Sequence, residues 1–268
     1  MKITLSIVSH GQRDIALRML EDILRLSPPD VAEIIYTANI PERDLPALNM
    51  GHIRLVVIRN ETPKGFGSNH NTAFSHCRTP YFCVMNPDLR LDADPFPALL
   101  QDLTGTPKRG LVAPRIYSPE GELANTARKL YTPRELIRQK LHPANHGDHP
   151  DWLAGMFLLF NSRAYNEIRG FDEGYFLYIE DVDICSRLCL AGWSLAQVAN
   201  TRVVHDARKQ SHRSLRFTRW HILLSANRWR ALQKICVWRS IATVNIAQSN
   251  IVPHRIDCPV GHYVILVY

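Results

Sequence analysis

The sequence predicts an α/β fold built on a doubly wound, mostly parallel sheet. Three observations point there. Short β-branched runs alternate with helix-period runs through the first half of the chain, which implies crossover connections and a sheet covered on both faces. The composition, 46% hydrophobic and 21% charged, is that of a globular protein and excludes a disordered chain, a collagen-like repeat or a disulfide-dense miniprotein. The length of 268 residues accommodates one large domain with an appendage, read as residues 1–207 and a segment at 208–268.

The elements follow in order. Ile3–Ser9 alternates as a strand, and helix-period sequence from Asp14 to Leu26 stops at Pro28-Pro29. Strands are expected at Glu33–Thr37 and Ile53–Ile58, and a helix from Ser68 to Cys77 leads into a strand at Tyr81–Met85. Leu111–Ile116 and Glu122–Thr126 read as strands joined by a Ser-Pro-Glu-Gly turn. The Pro- and His-containing stretch 141–151 reads as a loop, and Trp152–Asn161 as one buried strand. A helix opening at Tyr178 or Ile179 runs to Ala191 and stops at Gly192, and Leu195–His205 is the last clear strand. Ligands of such sheets bind at the carboxyl ends of the strands, so the chemistry is expected in the loops that follow them.

The chain carries 32 Lys and Arg against 25 Asp and Glu, a net charge of +7. The excess gathers between Arg202 and Arg239, interleaved with Phe217, Trp220, Trp229 and Trp238. Such a segment suits an anionic membrane surface or a solvated helix face. No nucleic-acid reader motif accompanies it, so nucleic acid is not an expected partner. The six cysteines form no C-x-x-C pair and Met1–Ser9 is not a signal peptide. The expectation is reduced thiols in the cytoplasm, with peripheral attachment to the inner face of the membrane through the basic segment. No apolar run approaches the roughly 20 residues that crossing a bilayer requires.

Three constellations carry chemistry. Asn86-Pro87-Asp88 ends the Tyr81–Met85 strand, where a carboxylate can hold a hard divalent cation shared with substrate phosphates; the tripeptide is also a common turn sequence. Gly65-Phe66-Gly67-Ser68-Asn69-His70-Asn71 puts two glycines at a helix N-terminus, where backbone N–H groups can approach an anion. It is neither a dinucleotide fingerprint, because His70 replaces the third glycine, nor a P-loop. Glu180, Asp181 and Asp183 crowd the first turn of a helix after an aromatic run. Acidic residues favour that position everywhere, but a carboxylate in a partly apolar cleft can also act as a general base.

Taken with Trp152-Leu153-Ala154-Gly155, Phe171-Asp172-Glu173 and Ala191-Gly192-Trp193, this order of motifs resembles the family 2 inverting glycosyltransferases, closest to the bacterial rhamnosyltransferase-like branch, over roughly residues 1 to 230. The resemblance implies a Rossmann-like GT-A fold with a C-terminal acceptor-side region, a nucleotide-sugar donor, and a divalent cation, Mg²⁺ or Mn²⁺. It implies donor contacts at Ser6, Val8, Ser9 and His10 after the first strand and at Asn39 after the second, where Ala38-Asn39 replace the aspartate many members carry. Gly65, Gly67, Asn69 and Asn71 match the glycine-rich segment beside the donor, and Asn86 and Asp88 the D-x-D motif with one carboxylate lost. Asp181 matches the catalytic base, with Glu180 as runner-up. Trp152, Gly155 and Met156 would border the sugars, the indole either stacking on a pyranose or packing in the core. His205 would complete the metal shell or contact the diphosphate, or serve the structure alone.

The function this implies is transfer of a sugar, L-rhamnose from dTDP-rhamnose or a related hexose, to a saccharide or lipid-linked saccharide acceptor in cell-surface polysaccharide synthesis. Two alternatives compete: a nucleotide-sugar-binding protein without catalysis, and a sugar-1-phosphate nucleotidyltransferase, whose Arg- and Lys-bearing glycine loop is poorly matched by Ser9-His10-Gly11-Gln12-Arg13. His142, His146 and His149 invite a zinc reading but lie in a Pro/Gly loop with no cysteine beside them. The tail from Trp238 to Tyr268 matches no motif of the family.

Overall fold

A computed structural model describes residues 3–129 and 150–206. The basic segment, the tail, the three-histidine loop, Cys236 and Cys258 lie outside those residues.

The central strand is β1 (Ile3–Ser9), all but one of whose residues are buried. It pairs in parallel with β2 (Val31–Ala38) on one side and β4 (Tyr81–Met85) on the other, and β3 (Arg54–Arg59) extends the sheet beyond β2. Beyond β4 the sense changes. β9 (Phe157–Asn161) lies antiparallel between β4 and β6 (Arg109–Tyr117), β10 (Ser194–His205) runs parallel to β6, and the two-residue β5 (Leu89–Arg90) closes the edge antiparallel to β10. The order among the described residues is β3-β2-β1-β4-β9-β6-β10-β5. The sheet is thus mixed, parallel through its first half, with β9 and β5 the antiparallel strands of its second.

Both faces are covered because strand side chains alternate. Ile3, Leu5, Ile7, Cys83, Met85, Phe157 and Leu159 pack under α1 (Arg13–Leu26) and α3 (Phe96–Gly105). Phe82, Val84, Leu158 and Phe160 face the other way, against α2 (Phe66–His76), α4 (Ser162–Glu167) and α5 (Glu180–Leu190). α1 buries Ala16, Met19, Leu20 and Ile23, the i, i+3, i+4, i+7 stripe its sequence shows.

Three expectations change. Glu122–Thr126 is not a strand; after the Ser118–Gly121 turn only a single bridge, Tyr117 to Leu123, forms. The run Trp152–Asn161 divides into β8 (Trp152–Leu153) and β9, because Ala154–Met156 turn out of line, and β8 pairs with β7 (Ala127–Arg128) in a separate two-stranded ribbon. α3 and α4 were not expected. Pro95 and Pro97 flank the start of α3, where a missing N–H costs nothing, and α4 is too short to show a period.

Two features of this frame aim at the site. A register shift between Val198 and Val203 bends the end of β10 onto β5, so His205 pairs with Leu89. β5 is held to α1 by Asp22, which accepts from Arg90 Nε at 2.6 Å and Nη2 at 3.0 Å and from the Leu91 N–H at 3.2 Å.

Candidate active site

The loop after β4 carries Asn86-Pro87-Asp88 to the carboxyl end of the sheet. The β5–β10 pairing sets His205 beside it: Nε2 lies 3.0 Å from Asp88 Oδ2. The second oxygen, Oδ1, is buried without a hydrogen-bond partner. A carboxylate with one buried, unpaired oxygen and an imidazole on the other fits a divalent cation by its donor chemistry, since neutral imidazole and carboxylate both ligate Mn²⁺-class ions. Among the described residues no third His, Cys, Asp or Glu joins them, so further ligands would come from substrate oxygens or water.

The same loop leads to the candidate base. The Asn86 N–H donates to the Met156 carbonyl at 2.8 Å, and the neighbouring Gly155 N–H donates to Asp181 Oδ2 at 3.1 Å. Asp181 Oδ1 accepts the Val182 N–H at 2.8 Å at the start of α5. Gly155 presents no side chain between the Phe66 ring and Asp181, each 3.6 Å from where its Cβ would stand. Asp181 and the Asn86 backbone, two residues before Asp88, therefore bond adjacent residues of one turn.

The two carboxylates of Glu180-Asp181 are pushed in the same direction. Glu180 is only 6% exposed and its Oε2 has no partner; burial first, then the Asp181 charge, raises its pKa to about 8, so it is protonated near neutrality. Burial also raises Asp181, but the Gly155 and Val182 N–H groups and the charge of Arg128 pull the other way. Asp181 thus sits above the usual aspartate range, the direction a general base needs. Asp183, the third acid of the run, is tied to Arg187 at 2.7 Å and serves the helix.

The turn into α5 is strained. Tyr178 and Ile179 take φ of +70° and +73°, a region β-branched residues avoid, and burial of the Ile179 side chain together with the α5 bond from Asp183 N–H to the Ile179 carbonyl holds it there. No sequence signal marks this pair.

The remaining sequence-predicted residues divide into open and enclosed groups. Val8 is half-buried at the end of β1, and His10, just past it, is exposed, its Nδ1 3.1 Å from the Asn39 side-chain amide nitrogen. Ser6 is enclosed, its Oγ 2.8 Å from Nδ1 of His70, whose pKa burial pushes down to about 3. Ser9 Oγ donates to Glu42 at 2.7 Å. Asn39 and Asn69 spend their amides on each other's surroundings: the Asn60 amide donates to both side-chain oxygens, and both side-chain amides donate to the Lys64 carbonyl. Asn71 accepts from Tyr165 Oη and the Phe171 N–H and donates to the Phe171 carbonyl and Glu173. These asparagines build the floor and tie the loop 171–175 to α2.

The glycines have a different reason from the one their motif suggests. A Cβ on Gly65 would stand 2.9 Å from the Phe176 backbone, and one on Gly67 2.5 Å from Phe171 Cβ, so both are required by close packing of the loop before α5. Trp152 likewise offers no open face to a sugar. It is 5% exposed, and the Arg128 guanidinium lies over its ring at 5.1 Å. Arg128 is the functional candidate that sequence reading missed, because only the β7–β8 pairing brings it here.

The fold and these loops define a GT-A glycosyltransferase, and solved structures agree on that fold. GalNAc-T7 with UDP, GalNAc and Mn²⁺ superposes with a TM-score of 0.60 at 15% identity, covering 78% of this chain and 44% of that one. A mannosyltransferase of Pyrobaculum calidifontis with GDP-Man and Mn²⁺ gives 0.59 at 13% identity, covering 85% and 63%. The model of the glycosyl transferase family 2 matches residues 4–169, and the chain belongs to that family. It is 27% identical to the rhamnosyltransferase WbbL of Escherichia coli K12 over 250 residues, 85% of this chain and 92% of that protein. It is 33% identical over 142 residues to an N-acetylglucosaminyl-diphospho-decaprenol L-rhamnosyltransferase of Mycobacterium tuberculosis, a match spanning 46% of this chain and 45% of the relative. Among the described residues no helix is long and apolar enough to cross a membrane.

Proposed function

We propose that this chain transfers a sugar, L-rhamnose from dTDP-L-rhamnose or a related hexose, with inversion to a hydroxyl of a saccharide or lipid-linked saccharide acceptor. The observation that carries the reading is the pair of hydrogen bonds Asn86–Met156 and Gly155–Asp181, which tie the segment bearing Asp88 and the candidate base to adjacent residues of one turn.

Asp88 and His205 would hold the cation, Mg²⁺ or Mn²⁺. When bound, it supplies positive charge against the departing diphosphate. Asp181 takes the proton of the acceptor hydroxyl as its oxygen forms the bond to the anomeric carbon. The carbon–oxygen bond to the diphosphate breaks on the opposite face, and the electron pair leaves with the nucleoside diphosphate. The Gly155 and Val182 N–H groups fix the carboxylate for that attack, and Glu180 beside it stays protonated near neutrality. The rhamnosyltransferase relatives support the choice of sugar, and the Mn²⁺ in the solved neighbours supports the cation. Cytoplasmic location and attachment to the inner membrane face belong to the same reading.

The test is a thermal-shift screen of nucleotide sugars with and without Mn²⁺, followed by release of nucleoside diphosphate. Ligands that bind the folded state raise its melting temperature by mass action. A metal-dependent shift with one nucleotide sugar and turnover of it is expected. Binding without release of nucleoside diphosphate under any acceptor would replace the transferase by a non-catalytic binder.

A further inference from the structure

The fold does not require a glycine at Gly155. Gly65 and Gly67 are held to glycine because a Cβ would meet its neighbours at 2.9 and 2.5 Å. At Gly155 the backbone lies outside the left-handed region, and among the described residues a Cβ would make only ordinary contacts: 3.6 Å to Asp181 Cβ, and 3.6 and 3.7 Å to Cζ and Cε1 of Phe66. Alanine would fit there. What the missing side chain leaves is a gap between the candidate base and the edge of an aromatic ring. Phe66, Gly155 and Asp181, the three residues that bound it, are all half-buried, so each keeps some open surface.

The ring in question is firmly held. Phe66 opens α2, its N–H donates to the Phe176 carbonyl at 2.9 Å, and its ring packs at steep angles on the buried rings of His70 and Phe171, with centroids 4.5 and 5.7 Å away. Its Cε1–Cζ end therefore stays on the Gly155 turn. Trp152, the aromatic to which the sequence points, is buried, whereas Phe66 is the ring that reaches the base. An apolar wall opposite one polar group is the composition that orients a small molecule. The group that meets Asp181 is the acceptor hydroxyl, so the carbon that bears it falls in the gap over Gly155. We propose that Phe66 is the apolar wall of the acceptor site: a C–H edge of the acceptor pyranose packs against it over Gly155, with the reacting hydroxyl turned to Asp181. This deepens the reading above and rests on its assignment of Asp181. The wall also selects, because a sugar edge carrying a hydroxyl toward Phe66 would lose its water without gaining a partner.

The experiment titrates the full chain, with dTDP and Mg²⁺ present, with methyl glucoside and with methyl rhamnoside. Saturation transfer from aromatic protons then reads which sugar protons lie against a ring. The wild type should bind at least one glycoside, with transfer strongest to ring C–H protons. Phe66→Ala should weaken that binding about tenfold, the low end of what one apolar pocket contact discriminates, and Phe66→Leu should lose less. Both should keep the thermal shift with nucleotide sugar, which also shows that they are folded. Gly155→Ala should keep or raise the melting temperature, since alanine fits the backbone, and still weaken the glycoside about tenfold. A glycine serving the structure alone would show the reverse, a lower melting temperature with binding untouched, and that result overturns the proposal. Failure of the wild type to bind either glycoside overturns it too. So does an equal loss of nucleotide-sugar binding in Phe66→Ala, which would assign the ring to the donor sugar. Glycoside binding with these variant effects in a chain that turns over no nucleotide sugar would instead count against the transferase reading and leave the wall standing.

Discussion

His205 and Asp88, 117 residues apart, meet at 3.0 Å because the last residue of β10 pairs with the first residue of β5. The carboxylate this pairing traps has one oxygen on the imidazole and the other buried without a partner. A buried acceptor left unpaired costs about 1–3 kcal/mol, and a bound cation would remove that cost.

That relationship makes Asp88 and His205 separable from the rest of the site. Asp88→Asn should remove the Mn²⁺ dependence of nucleotide-sugar binding, and His205→Ala should weaken Mn²⁺ more than tenfold in titration. Both variants should keep the fold, since the sheet edge is clamped independently by Asp22 and Arg90. Unchanged Mn²⁺ dependence in both would remove the pair as ligands.

Asp181→Asn should leave nucleotide-sugar binding intact and lower turnover by at least about 10²-fold, the scale of general-base catalysis. Glu180→Gln should keep most activity, because the native residue is already protonated near neutrality. The reverse ranking, measured as turnover of donor with excess acceptor, would exchange the two roles.

The pH dependence of stability has two limbs of opposite sign. Glu180, raised in the folded state to about 8 from 4.5, favours the fold at low pH, and its contribution is lost as pH climbs from 4.5 through 8. His70, lowered to about 3 from 6.5, favours the fold above 6.5, and its contribution is lost as pH falls from 6.5 through 3. Glu180→Gln should therefore raise the melting temperature more at pH 8.5, above its window, than at pH 5, near the window's lower end. A neutral replacement of His70 should flatten the acid limb, read in the same melts.

Gly67→Ala places a methyl group 2.5 Å from Phe171 Cβ, and Gly65→Ala places one 2.9 Å from the Phe176 backbone. Each should cost about 1–3 kcal/mol in urea unfolding, the range of overpacking. Gly67→Ala should also disturb the loop before α5 and lower turnover more than nucleotide-sugar binding. A neutral effect on stability would restore the phosphate-cradle reading of the motif.

The sequence by itself determined the frame. The strands Ile3–Ser9 and Tyr81–Met85 are read to the residue, and the bounds of α1 to within one residue, because period 2 and period 3.6 are local properties of the chain. The motif order also carried the family, now matched over residues 4–169. Two helices escaped: Phe96–Gly105 hides behind prolines, and Ser162–Glu167 is shorter than two turns. Which residues share the site was legible only where the motif itself ends a strand, as at Asp88. Tertiary structure alone decided the rest. The sheet order brings His205 to Asp88 and Arg128 to Trp152, pairings that depend on register across long separations. Burial decides that Glu180 is protonated near neutrality, and close packing explains Gly65 and Gly67. Chemical identity is written residue by residue, but protonation and partnership are set by what the fold places within a few ångströms, and that distance is not a property of any local stretch of chain.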